Sequence, residues 1–152
     1  RRVLFRSMNE KAFWDTARHS SSPLVATHSN AHTLCPQPRN LTDRQLLAIR
    51  DSGGVAGVNF GNAFLRADGK RDSDTPLSTI VRHIDYLINI MGDDHVALGS
   101  DFDGITLPDD LHDVSGLPRL ISALRDSGYD QFVLNKLLWG NWQKVLQNVW
   151  QQ

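Results

Sequence analysis

The sequence predicts an α/β fold in which short parallel strands alternate with helices. Three short, mostly apolar runs have the length and composition of buried strands, at residues 23–27, 55–60 and 96–100. Segments with apolar residues at helical spacing separate these runs, which is typical of parallel α/β proteins. Because a complete (β/α)8 barrel needs about 250 residues, three strands in 152 residues indicate either a small doubly wound sheet or part of a barrel.

The composition excludes several classes of protein. Hydrophobic residues make up 40% of the chain and charged residues 22%, so the composition is that of a globular protein and not of a disordered one. The net charge of −1 provides no basic field for nucleic acid, and no apolar run approaches the ~18 residues of a membrane span. Cys35 is the only cysteine, which excludes an internal disulfide but does not determine the cellular compartment. Among the compartments, a cytoplasmic location is favoured.

The first seven residues, RRVLFRS, differ in composition from the rest of the chain. They contain three arginines, and they resemble the in-frame translation of a common sequencing adapter. Residues 1–7 are therefore expected to be an assembly artefact and residues 8–152 to be the protein domain. The alternative is a natural basic strand or tail. Without the heptapeptide the net charge becomes −4.

The helices are predicted from their end signals together with their apolar faces. Asn9 and Thr42 can cap helices over residues 9–18 and 43–51. The clearest helix follows Pro76 and carries an apolar stripe at helical spacing. Apolar spacing of this kind predicts the remaining helices, which lie at residues 77–91, 117–124, 134–138 and 142–149.

Polar residues follow each of the three predicted strands. Parallel α/β proteins place their functional residues at the carboxyl ends of strands, because the following loops converge there. That rule selects His28 after the first strand, Asn59 near the end of the second and Asp101 after the third. A histidine and a carboxylate at one rim suit metal ligation or proton transfer. For His28 the alternative is a half-buried histidine in a turn.

Four further residues allow both a functional and a structural interpretation. His32 lies four residues after His28, but the preceding strand does not provide the helical geometry that pairs two ligands. Arg39 could hold a carboxylate in bidentate fashion, although a surface arginine is the simpler interpretation. Cys35 is better explained as a small buried thiol than as a nucleophile, and His83 is expected on the solvated face of its helix.

The string Gly-Ser-Asp-Phe-Asp-Gly at residues 99–104 is the most specific local signal. An apolar strand followed by Asp-x-Asp-Gly is similar to the nucleophile motif of haloacid-dehalogenase-like phosphatases. In that motif a threonine follows the glycine directly, whereas Ile105 intervenes before Thr106 here. A calcium loop fits less well, because His112 and not a glutamate occupies the twelfth loop position.

Several longer stretches of the sequence, spread over nearly the whole chain from Met8 onward, match one known family. Taken together, in order and with similar gaps, they resemble the membrane (renal) dipeptidase family. Each match alone is weak, and their collinearity makes the resemblance specific. The stretches are residues 8–15, 26–43, 53–60, 80–87, 96–105, 113–118 and the closing helix around Gly140-Asn141.

The resemblance implies a fold, an activity and a role for three residues. The fold is the C-terminal segment, about three βα units, of a TIM-type (β/α)8 barrel of the amidohydrolase type. The family hydrolyses dipeptides with two zinc ions at the C-terminal rim, and a homodimer is expected of the intact enzyme. By resemblance His28 is a metal ligand of the second zinc, and Arg39 binds the terminal carboxylate of the substrate. Asp101 is the catalytic residue that holds the metal-bound water and moves its proton.

The resemblance also implies that several family residues lie upstream of this sequence. They are an early His-x-Asp pair, a bridging glutamate and a substrate-binding histidine. A further zinc-ligating histidine is expected directly before Met8, where Ser7 stands. We therefore expect the chain to be a fragment from a truncated gene and to be catalytically silent as it stands.

Overall fold

The computed structural model describes the backbone of residues 3–5 and the whole of residues 9–150. Its strands form one sheet in which all neighbours are parallel and follow the order of the chain. This topology confirms the predicted parallel arrangement, and it is the order that a barrel segment requires. The strands are β1 Val3–Phe5, β2 Leu24–Ala26, β3 Val55–Asn59 and β4 Val96–Ser100.

The sheet has one strand more than the three that the sequence predicts. β1 pairs with β2 in the register Leu4 to Val25, because an extended apolar tripeptide can satisfy the edge that β2 would otherwise leave open. This strand falls within residues 1–7, whose artificial origin remains a prediction. Ser7, which stands where a further ligand is expected, lies outside the described residues.

The helices agree with the prediction in position and in their caps. Asn9 Oδ1 accepts the Ala12 N–H at 2.8 Å at the start of the first helix, and the Thr42 N–H donates to Gln45 Oε1 at 2.9 Å at the start of the second. The helices are α1 Glu10–His19, α2 Asp43–Asp51, α3 Asn62–Leu65, α4 Leu77–Met91, α5 Leu117–Asp126, α6 Gln131–Asn135 and α7 Asn141–Trp150. Helix α3 was not predicted, and a π-helical segment, Lys136–Gly140, joins α6 to α7.

The main core lies on one face of the sheet, beneath α2 and α4. Alternate strand residues point to this face, where they pack against the apolar stripes of both helices. The Tyr86 hydroxyl of α4 also donates to Asp43 Oδ1 of α2 at 2.9 Å. Fully buried members of this core include Ala26, Leu46, Ile49, Ala56, Val58, Ile80, Ile84, Leu87 and Val96.

The opposite face is covered near the amino ends of the strands by α7. Val145 of this helix packs against a small apolar cluster formed by Val25, Val55 and Ala97. Trp142 reaches further along the same face, where its Nε1–H donates to Leu98 O at 2.9 Å. We call this group, Val25, Val55, Ala97, Trp142 and Val145, the floor of the sheet.

Two glycines of the sheet, Gly57 and Gly99, lie where there is no space for a side chain. A Cβ added to Gly57 would lie 2.9 Å from Cζ2 of Trp142, and one added to Gly99 would lie 2.1 Å from Thr27 O. Both distances are too short for real Cβ contacts, so any larger residue at either position would displace the sheet backbone or the indole.

Of the described helices, none is long and apolar enough to cross a membrane.

Candidate active site

Three residues selected from the strand ends meet at the carboxyl edge of the sheet. The carboxylate of Asp101 lies between the other two: Oδ1 is 3.9 Å from His28 Nε2, and Oδ2 accepts a hydrogen bond of 3.0 Å from Asn59 Nδ2. The exposed fractions of the His28 and Asp101 side chains are 25% and 9%, so both can be reached by a small molecule. We call this group, His28, Asn59 and Asp101, the rim site.

Local backbone geometry directs the Asp101 side chain towards the rim site. Val58 pairs with Leu98 but Asn59 pairs with Ser100, so the ladder skips Gly99. Such an irregularity turns the strand and redirects the residues that follow it. Ser100 and Asp101 then have φ angles of 57° and 76°, a left-handed conformation that is uncommon for residues other than glycine and that concentrates at functional sites.

The imidazole of His28 is oriented by its sequence neighbour. Its Nδ1 forms a hydrogen bond of 2.6 Å with Thr27 Oγ1, which leaves Nε2 on the side of Asp101. A metal-ligating histidine uses one ring nitrogen while the other is held by a hydrogen bond. The orientation of His28 is therefore compatible with the ligand role implied by the resemblance.

Arg39 lies beside a separate cavity of about 470 Å³. Its Cζ is 4.7 Å from the centre of the Phe64 ring, and its Nε and Nη2 are buried without a hydrogen-bond partner among the described residues. Buried guanidinium donors are costly to leave unpaired, and a carboxylate is their best-fitting partner. The residues that line the cavity are Asn9, Glu10, His32, Pro38, Arg39, Asn40, Thr42 and Gln45.

The cavity and the rim site are joined by buried asparagines. Asn40 Nδ2 donates to Phe64 O at 2.9 Å, and Asn30 Nδ2 donates to the same oxygen at 3.1 Å. Asn30 Nδ2 also donates to Asn59 O at 2.9 Å. The backbone under the Arg39 guanidinium and the end of β3 are thus tied to one another, although His28 and Asp101 do not line the cavity.

The remaining candidates divide between the cavity and the core. His32 lines the cavity of Arg39 rather than the rim site. Cys35 is fully buried, and burial raises the pKa of its thiol, which confirms the interpretation as an inert buried cysteine. The expectation for His83 was wrong, because only 1% of this residue is exposed.

His83 is buried because its ring joins α4 to two loops. Its Nδ1 accepts the Ala31 N–H at 3.2 Å, and its Nε2 lies 2.9 Å from Leu65 O. Helical spacing places this residue outside the apolar stripe, and no local pattern predicts that loops from other parts of the chain cover it. Burial lowers the pKa of His83, which keeps the imidazole neutral.

The rim site has metal ligands of a suitable kind but too few of them. An imidazole and a carboxylate are ordinary zinc ligands, and a catalytic zinc has three protein ligands and a water. Within residues 9–150, whose side chains are described, no group of three or more His, Cys, Asp or Glu side chains could hold a metal ion. His28 and Asp101 therefore fit one part of a metal centre.

Comparison with known proteins shows the family to which this chain belongs. The family model described as membrane dipeptidase, peptidase family M19, matches residues 6–152. The chain belongs to this family. The match confirms the resemblance seen in the sequence and decides against the phosphatase interpretation of residues 99–104.

Relatives of the chain include two solved metallo-peptidases. An uncharacterised protein from the pqqA 5′ region of Klebsiella pneumoniae is 85% identical over 145 residues, which are 95% of this chain and 54% of that protein. The structure of dipeptidase AC, of family M19, is 52% identical with a TM-score of 0.93, over 94% of this chain and 42% of that chain. A metallo-peptidase from Rhodobacter sphaeroides, liganded with a phosphinate mimic of the dipeptide L-Ala-D-Ala, is 52% identical with a TM-score of 0.91, over 93% and 40%.

These matches confirm the predicted fold class and define its extent. The small parallel sheet with its helices matches part of the dipeptidase fold. The chain spans about half the length of the Klebsiella relative and less than half of each solved chain.

Proposed function

We propose that this chain is the C-terminal part of a zinc-dependent dipeptidase and that its rim site carries the proton transfer of peptide hydrolysis. The observation that supports the proposal best is the position of the Asp101 carboxylate, 3.9 Å from the His28 imidazole, in a chain that belongs to the membrane dipeptidase family. A dipeptide mimic bound to the Rhodobacter relative agrees with a dipeptide as substrate.

We propose that His28 would hold one of two zinc ions through Nε2. Bound zinc lowers the pKa of a water molecule and polarises the peptide carbonyl. Because a catalytic zinc needs three protein ligands and the described residues offer no such group, this chain alone should bind zinc weakly. It should also hydrolyse dipeptides negligibly.

Asp101 is proposed as the general base. Its carboxylate accepts the proton of the attacking water and returns it to the departing amine, a role for which a positioned carboxylate contributes about 10²- to 10⁴-fold in rate. The partly exposed side chain and the directed backbone of residues 100–101 suit this role, since the carboxylate must stay both oriented and accessible.

Arg39 is proposed as the anchor of the substrate's terminal carboxylate. Its unpaired, buried Nε and Nη2 provide two parallel donors for a bidentate carboxylate contact. Phe64 beneath the guanidinium fixes the plane of the donors. A fixed distance between the anchor and the rim site would then select short substrates.

The experiment compares this chain with a completed enzyme. The completed enzyme is residues 8–152 joined to the amino-terminal portion of the Klebsiella relative, of which this chain covers 54%. Both proteins are assayed with glycyl dipeptides and with p-nitrophenyl phosphate, with and without added zinc, and zinc affinity is measured by titration calorimetry.

We expect zinc-dependent dipeptide hydrolysis by the completed enzyme and negligible turnover by the 152-residue chain. Zinc-dependent turnover by the purified chain itself, free of contaminating peptidase, would contradict the fragment proposal. A zinc-loaded completed enzyme without peptidase activity would contradict the proposed function. The expected homodimer and cytoplasmic location remain predictions.

A further inference from the structure

Asn59 is a buried side chain whose amide orientation is fixed by its partners. It is fully buried, its Oδ1 accepts the Gly61 N–H at 2.7 Å, and its Nδ2 donates to Asp101 Oδ2 at 3.0 Å. A backbone N–H can only donate, so the amide oxygen must face Gly61 and the amide nitrogen must face Asp101. Turning the amide would leave buried polar groups without partners.

The backbone of Asn59 is held as firmly as its side chain. Asn30 Oδ1 accepts the Asn59 N–H at 2.8 Å, and Asn30 Nδ2 donates to Asn59 O at 2.9 Å. Asn30 is itself fully buried, and its own N–H donates to Asn40 Oδ1 at 3.1 Å. Both backbone groups of Asn59 are thus satisfied by one rigid amide, which fixes the direction in which Asn59 donates.

The hydrogen bond from Asn59 bears on the rotation of the Asp101 carboxylate. The last side-chain torsion of an aspartate is broad, and Asp101 follows the last residue of β4 with a φ of 76°. The hydrogen bond from Asn59 occupies Oδ2. The other oxygen, Oδ1, is then directed to the side of His28.

We propose that Asn59 is a positioning residue, which holds Asp101 Oδ2 so that Oδ1 presents its lone pairs to the reacting water. The proposal rests on the proposed function, in which Asp101 is the general base. A purely structural role would need only backbone partners, as for the equally buried Asn141, whose Nδ2 donates to Asp93 O and Val96 O, each at 2.7 Å. Asn59 instead donates to an ionisable side chain 42 residues away.

The kinetic test uses the completed enzyme and a matched asparagine. Asn59→Ala is expected to lower kcat for glycyl dipeptides by about 10- to 100-fold, the usual cost of losing a partner that orients a functional group, with KM changed by less than about twofold. In the Asp101→Asn background the same substitution should cost nothing further, because residues that act as a unit are not additive. Asn141→Ala, the control, should leave kcat unchanged.

A second measurement covers the case in which Asn59→Ala fails to fold. The completed enzyme is labelled with ¹⁵N-asparagine, and hydrogen exchange of the side-chain amides is followed in wild type and in Asp101→Ala. We expect the Asn59 Nδ2 protons to exchange at least about tenfold faster in the variant, with the Asn141 protons unaffected.

Four results would overturn the proposal. They are a kcat of Asn59→Ala within about threefold of wild type, additive losses in the double variant, an equal loss in Asn141→Ala, and unchanged Asn59 exchange in Asp101→Ala. An inactive wild-type completed enzyme would overturn the proposed function itself, and it is recognised before any variant is compared.

Discussion

At the carboxyl end of β4 a buried asparagine, Asn59, donates to a carboxylate, whereas near its amino end another, Asn141, donates to two backbone carbonyls. The first lies beside residues 100–101 with left-handed backbone and a partly exposed carboxylate. The second begins a helix that seals the floor with valine and tryptophan. The same residue type therefore contacts an ionisable side chain at one end of β4 and satisfies the backbone at the other.

Under the proposed function, in which Asp101 is the general base, catalysis and stability depend on opposite ends of the strands. The rim site contains the partly exposed side chains of His28 and Asp101, whereas the floor contains apolar contacts between the sheet and α7. Substitution of Asp101 should change catalysis with little effect on stability, and substitutions at the floor should do the opposite.

The largest expected effect is that of Asp101→Asn in the completed enzyme. We expect kcat to fall by about 10²- to 10⁴-fold, because asparagine cannot take the proton of the water. The free energy of unfolding should change little, since the new side chain retains an oxygen for the Asn59 donor. Steady-state kinetics and denaturant unfolding measure the two quantities, and a nearly normal kcat would take Asp101 out of the mechanism.

Arg39→Ala tests substrate binding in the cavity that Arg39 lines. Binding of dipeptides should weaken by about 2–5 kcal/mol, the range for a truncated buried charge pair, and binding of amidated dipeptides should weaken much less. Arg44→Ala is the control, because this guanidinium also lies over an aromatic ring, Trp14 at 5.1 Å, but does not line the cavity. Equal losses for free and amidated substrates would remove the anchor assignment.

Asn141→Ala tests the floor. Removing its amide leaves Asp93 O and Val96 O without this donor, and an unsatisfied buried carbonyl costs about 1–3 kcal/mol. We expect the free energy of unfolding to fall by about that amount in urea titrations, with kcat of the folded completed enzyme unchanged. A loss of kcat without a loss of stability would break the proposed separation of the two ends.

The smallest expected effect is a pH dependence of stability from His83. Burial lowers the pKa of this imidazole below its usual 6.5, so the unfolded chain binds a proton more readily than the folded one. The contribution of His83 to the free energy of unfolding is therefore full above about pH 6.5, and it declines as the pH falls below that value. Urea unfolding of the 152-residue chain as a function of pH should show the decline.

His83→Gln is the control for that prediction. Glutamine does not titrate, so the part of the pH dependence that His83 contributes should disappear in the variant. An unchanged pH profile would show that other groups cause the decline.

Local patterns in the sequence predict three of the four strands, most of the helices and all three members of the rim site. Apolar runs and helical periodicity placed β2, β3, β4 and the longer helices, and the caps at Asn9 and Thr42 set two helix starts. The strand-end rule selects His28, Asn59 and Asp101, and the structure places all three at one edge of the sheet. These features follow from local pattern, because a strand or a helix buries one face at a period that the chain itself displays.

Three features follow from the tertiary structure and not from local sequence patterns. They are the pairing of Asn59 with Asp101, the burial of His83 and the position of Trp142 on the floor. Asn59 meets its partner because the ladder skips Gly99, and a shift of one residue turns a side chain to the other face. His83 is covered by the loops of Ala31 and Leu65, far away in sequence. Contacts of this kind depend on the register and packing of distant segments, which no local period in the sequence encodes.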